Sequence, residues 1–215
     1  MRFATAFWTL LTLLSFAAPP AFAPSASAQD SAPSLDALLQ RFAAMPGMSA
    51  RFREEKRIAL LAVPVRSEGV IYFTPPGKLM RTVTSPSPSY ALLEGGRLTF
   101  AADGERQVVE LGESPVLAGF VESFRYVLAG DRAALERTYR VDYERDGAEW
   151  SLTLKPRNEA LARFLQEMVL KGEGFAVKTM KMVEVSGDTT TTELFDVNPR
   201  RSFSDAETRR LFRVP

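Results

Sequence analysis

Two hydrophobic periods divide this chain. In SLDALLQRFAAM, Leu35, Leu38, Leu39 and Phe42 recur at helical spacing, and Ser34 stands where a side chain can cap the first amide groups. The segment predicts a short amphipathic helix. From Met48 onward the period falls to two: in ARFREEKRIAL, Phe52, Ile58 and Leu60 share one parity while Arg51, Arg53, Glu55 and Arg57 occupy the other. That is the pattern of a strand buried on one side. Glu54 and Lys56 break its apolar parity.

Further strands are predicted over 65–74 and 78–84, and a hairpin over 90–94 and 97–101 turns at Gly95-Gly96. Another follows over 107–111, after Asp103-Gly104. The segment SPVLAGFVESFRYVLAG then interrupts the strands. Ser114 suits a cap, Pro115 a first helical position and Gly130 the residue beyond the end, and Leu117, Phe120, Val121, Phe124, Val127 and Leu128 form one broad stripe. Asp131 begins a second short helix through Arg137. Strands resume over 139–145 and 150–155 about Asp146-Gly147, then over 165–171, 175–185 and 189–197, and Ser204 caps a last short helix. Nine to eleven strands in sequential hairpins, with helices at the start and in the middle, argue for an α+β fold. We expect one curved antiparallel sheet, unclosed, with its helices gathered on one face.

The stretch GVIYFTPPGKLMR is apolar at both strand parities, so neither face of that strand is built for water. Ahead of the folded pattern, Arg2 precedes an apolar run from Phe3 to about Ala18, and small residues lead to Ala26-Ser27-Ala28. This order reads as a secretory signal peptide over 1–28, with residues 29–215 as one mature domain. An uncleaved anchor is the competing reading, since the run approaches the roughly 17–25 residues that cross a bilayer.

Removing Arg2 from the 27 basic residues leaves 26 against 26 acidic ones, without the basic excess that a nucleic-acid partner asks for. Cysteine and histidine are absent. No disulfide framework, lipidated N-terminal cysteine, Ser-His-Asp or Cys-His nucleophile, or zinc set of the usual type can be assembled. Glu54 and Glu55 are strand neighbours facing opposite ways, and Asp142 and Glu144 occupy alternate positions typical of a solvated face. We therefore expect neither an enzyme nor a metal or other cofactor.

The order and spacing of MSARFREEKRI, SEGVIYFTPPGKLMRTVTSP, LLEGGRLTFA, the central helix, EWSLTLKP and VKTMKMVEVSGDTTTTELFDV resemble the LolA family of periplasmic lipoprotein carriers, in a divergent branch. The resemblance runs from about Leu35 to Phe212. It implies an unclosed β-barrel whose helices act as a lid over an apolar cavity for acyl chains. On that basis Phe52, Val70, Tyr72, Leu79, Leu92, Phe100, Trp150 and Leu152 are the expected cavity residues, and Leu117, Phe120, Phe124 and Val127 the expected lid. Family members carry a lid-latching arginine just before the proline of the TPPG turn; here Thr74 precedes Pro75, and Arg81 is the candidate substitute.

The resemblance further implies a monomeric periplasmic carrier, loaded by an inner-membrane transporter and unloaded at an outer-membrane acceptor. Two alternatives remain open at this stage. One is a carrier of another lipid or lipid-linked intermediate; the other is a periplasmic sensor of lipoprotein state.

Overall fold

The computed structural model describes residues 32–215, apart from the side chains of Pro115, Val116, Leu117 and Phe120. The signal peptide expected over 1–28 lies outside these residues. Helix α1 (Leu35–Ala43) leads into β1 (Met48–Arg57), β2 (Val65–Thr74), β3 (Lys78–Ser85), β4 (Ser89–Glu94), β5 (Arg97–Ala102) and β6 (Glu105–Glu110). A 3-10 turn (Leu111–Glu113) and helices α2 (Pro115–Leu128) and α3 (Arg132–Thr138) follow. The chain then forms β7 (Tyr139–Asp146), β8 (Glu149–Pro156), α4 (Glu159–Ala162), β9 (Leu165–Glu173), β10 (Ala176–Glu184), β11 (Thr189–Asn198) and α5 (Asp205–Leu211).

The eleven strands make one antiparallel sheet in the order β6-β5-β4-β3-β2-β1-β11-β10-β9-β8-β7. Every neighbour but one is also a neighbour in sequence; the exception joins β1 to β11 and carries the first and last strands into the middle. The sheet is not closed, because β6 and β7 are its two edges. The chain passes between those edges through the 3-10 turn, α2 and α3, so this helical segment straps one margin of the sheet to the other.

Residues opposite one another in an antiparallel ladder share a face, and successive residues alternate. The registers therefore place Leu98, Leu93, Leu79, Phe73, Phe52, Leu194, Met180, Leu170 and Leu152 on one face. The helices α1 to α4 lie there. Leu35, Leu38, Leu39 and Phe42 of α1 are all buried, in one cluster with Trp150, Leu152, Leu154, Met168 and Leu170. Ser34 caps α1 by accepting from the Ala37 amide, and Asp131 caps α3 by accepting from Ala134.

Three expectations change. Strand β1 ends at Arg57, so Ile58 and Leu60 belong to a loop: the Ala59 amide donates to Asp188 Oδ1 and the Leu61 amide to the Ile58 carbonyl, which turns the chain out of the ladder. A fourth helix, α4, is present, its first amides taken by Asn158 Oδ1. The helices are also not all on one face, since α5 begins a C-terminal segment that covers the other. There Phe203, Leu211, Phe212 and Val214 pack on Tyr72, Met80, Tyr90 and Leu92.

Candidate ligand-binding face and helical strap

Because α2 crosses the open sheet from edge to edge, its contacts decide what can enter beneath it. Val121 is buried with Leu93, Leu98 and Leu111 at the β4–β5 side. Val127 is buried in the α1 cluster at the β8–β9 side, where Phe124, Tyr126 and Leu128 pack part-buried against it. A broad apolar stripe of this kind must be covered by something, and here it is pinned at two separated places on one face. Leu117 and Phe120, the other two expected lid residues, lie outside the described side chains.

Backbone close approach locks the strap from below. The Tyr139 hydroxyl donates to the Gly119 carbonyl at 2.9 Å, and burial pushes the Tyr139 phenol above its ordinary pKa. A methyl group on Gly119 would stand 3.0 Å from Leu161 Cδ2, so α2 rests directly on α4. Near the other strand ends, Arg125 of α2 lies over the β2–β3 turn, where a methyl on Gly77 would stand 3.2 Å from Arg125 Cδ. The same arginine pairs with Glu122 one turn away.

The eight expected cavity residues do not line one surface. Phe52, Leu79, Phe100, Trp150 and Leu152 share the face that carries α1 to α4, whereas Val70, Tyr72 and Leu92 point the other way. Tyr72 and Leu92 pack under the C-terminal segment. The physical reason is the double-sided apolar character of β2: Ile71 and Phe73 serve the helix-bearing face, and Tyr72 serves the other. Phe100 is partly open to solvent near the β6 edge, while Trp150 and Leu152 are filled in by α1. Trp150 also donates from Nε1 to the Gly174 carbonyl at 2.9 Å.

Arg81 stays within the sheet. Its guanidinium donates to Glu54 Oε1 at 2.8 Å and its Cζ lies 4.4 Å from the centre of the Phe52 ring, so its described partners belong to β1 and not to α2. Glu54 also accepts from the Thr192 hydroxyl at 2.9 Å. Lys56 pairs with Glu184 at 3.3 Å on the same face. Beside them the Thr190 hydroxyl is buried without a hydrogen-bond partner. This polar band explains the two residues that break the β1 pattern. Sequence reasoning missed it because the partners are remote in the chain.

Two surface clefts, of about 570 and 630 Å³, are lined mainly by charged and polar residues. The first runs along Arg53, Glu55, Arg66 and Glu193; the second runs along Glu144, Glu149, Lys171 and Lys178. In the first, hydrogen bonding from Arg66, reinforced by Arg57, holds the Glu55 carboxyl below its usual range. No cluster of acidic side chains suited to a metal occurs among the described residues.

The profile of the family described as outer membrane lipoprotein carrier protein LolA-like matches residues 25–205. The chain belongs to this family. A LolA superfamily protein from Nitrosomonas europaea is similar in structure, with 14% identity, 81% of this chain and 97% of that one covered, and a TM-score of 0.43. A DUF1329 family protein from Desulfovibrio piger aligns at 11% identity over 82% of this LolA-like chain and 96% of its own, with a TM-score of 0.47. The Mycobacterium tuberculosis lipoprotein LppX aligns at 9% identity over 79% and 98%, with a TM-score of 0.43. No curated protein sequence matches the chain.

Proposed function

We propose that this LolA-like protein is a periplasmic carrier that takes the acyl chains of lipoproteins under its helical strap and ferries them from the inner to the outer membrane. The observation that carries this reading is the row of apolar residues from Leu98 to Leu152 on an unclosed sheet, roofed by a helix whose buried contacts include Val121 and Val127. Cleavage after Ala28 releases the carrier from the export machinery. An inner-membrane transporter supplies the cargo and an outer-membrane acceptor removes it. The role calls for transfer of the cargo intact, with no bond made or broken.

Burying about fifteen methylenes of one chain is worth on the order of 12 kcal/mol. Several such chains nominally exceed the roughly 18–21 kcal/mol ceiling of non-covalent affinity. Lifting the strap and displacing α1 side chains from the sheet offsets part of that gain, which keeps the cargo releasable.

The Glu54–Arg81–Thr192 band favours a second reading, in which the cargo is a lipid-linked intermediate with a polar group that replaces some of these bonds. Mass spectrometry of the organic extract of protein purified without detergent separates the two. Stoichiometric lipoprotein supports the first, and a free lipid or lipid conjugate supports the second. An empty protein that also refuses acyl chains in vitro counts against both.

A further inference from the structure

The loop between β1 and β2 exposes apolar side chains that the folded chain makes no use of. Leu60 is 93% exposed, Val63 72%, Leu61 53% and Val65 47%. The loop is nonetheless tied down, by the Ala59 amide on Asp188 Oδ1 at 2.9 Å and the Leu61 amide on the Ile58 carbonyl at 2.8 Å. Asp188 belongs to the β10–β11 turn, and just before that turn the Val185 amide donates to the Phe164 carbonyl at 2.9 Å. Val185 and Phe164 are themselves more than half exposed. Three connections at one end of the sheet therefore present six apolar side chains to solvent. A soluble surface rarely keeps such a patch without a partner.

Cations flank the patch. Arg57 and Arg66 bracket the loop and share the Glu55 carboxylate, and the Asp188 carboxylate stands at the Ala59 amide. Exposed Arg163 directly precedes Phe164. Three arginines against two carboxylates leave a positive balance at the base of the apolar tips, which matches the layering of a bilayer surface, with hydrocarbon below and phosphate above. A side chain 93% exposed stands out from the chain. Fluid acyl chains receive such a projection without shape matching.

We propose that the β1–β2 loop, with Phe164 and Val185, docks this protein on an anionic lipid bilayer by sinking Leu60 and Val63 below the headgroups. The inference goes beyond the carrier reading: it concerns where the protein settles, and it stands or falls without any cargo being found.

The test uses protein purified from cells making the full chain, with whatever processing it receives there. Flotation is measured with vesicles of phosphatidylcholine alone and of phosphatidylcholine mixed with phosphatidylglycerol. The protein is expected to float with the mixed vesicles, more weakly at high salt, and the double variant Leu60→Asp, Val63→Asp to lose at least about tenfold in partitioning. Failure of the unaltered protein to float, or flotation of the double variant to the same extent, overturns the proposal. Leu60→Trp gives an independent reading should the double variant misfold. Its emission is expected to shift to shorter wavelength with mixed vesicles and to be quenched by lipids brominated along their acyl chains, and an unchanged spectrum overturns the proposal. The cargo extract of the unaltered protein tests the carrier reading separately.

Discussion

Arg81 of β3 reaches Glu54 of β1 across the whole width of β2, which lies between them in the sheet. The guanidinium rests on the Phe52 ring on its way, and both members of the pair are less than a third exposed. A carboxylate so placed depends on its cation. Arg81→Met is expected to destabilise the protein by about 1–3 kcal/mol, and Glu54→Gln added to it to restore part of that loss. A urea double-mutant cycle measures the coupling, and a coupling near zero would remove the pair from any structural account.

Two glycines sit opposite aromatic residues on the helix-bearing face, Gly69 against Phe52 and Gly172 against Trp150. A methyl on Gly69 would stand 1.9 Å from the Thr82 carbonyl oxygen, and one on Gly172 2.1 Å from that of Ala176. Backbone cannot yield as a side chain can. Each change to alanine is expected to cost more than about 2 kcal/mol, whereas Gly112→Ala, which meets nothing within 4 Å, should stay within about 0.5 kcal/mol. Denaturant midpoints of the three variants decide the matter.

Glu207 closes a capping box at the start of α5. The Ser204 amide and hydroxyl, with Arg201 beyond them, hold its carboxyl below the ordinary value of 4.5. A carboxylate whose native pKa is depressed stabilises the folded state above its unfolded pKa, and that contribution disappears as pH falls through the native value. The C-terminal segment should therefore loosen from Tyr72 and Leu92 in acid. Ring resonances of Phe203 and Phe212 followed by NMR should report the change, and Glu207→Gln should abolish its dependence on pH.

Phe124 packs part-buried on the α1 cluster from the strap. Phe124→Glu is expected to abolish retention of a fluorescent fatty acid while leaving the far-ultraviolet circular dichroism of the sheet in place. Retention at the level of the unaltered protein would mean that α2 is not the lid.

The strands and most helices were legible because each buries one side of a regular period: Leu35, Leu38, Leu39 and Phe42 announce α1, and Trp150, Leu152 and Leu154 announce β8. Which side of β2 faces the helices was not legible, since Val70 to Phe73 are apolar at both parities and only the distant C-terminal segment separates them. Phe203, Leu211, Phe212 and Val214 carried the available signal, a second apolar cluster in need of a surface. Glu54 and Lys56 looked like errors in a pattern. Their partners Thr192 and Glu184 lie 138 and 128 residues away, beyond the reach of any local period. Helix α4 spans only Glu159–Ala162, too short for periodicity to show.

The margins β6 and β7 share no ladder, and the strap of the 3-10 turn, α2 and α3 connects them along the chain. The bore of this half-barrel can therefore widen or narrow without breaking a single strand pairing. Its margins are held through α2 by packing at Val121 and Val127 and by the Tyr139–Gly119 hydrogen bond, and not by a ladder. A closed barrel would fix its girth by hydrogen bonds around the whole circumference; this one leaves that girth to side-chain contacts.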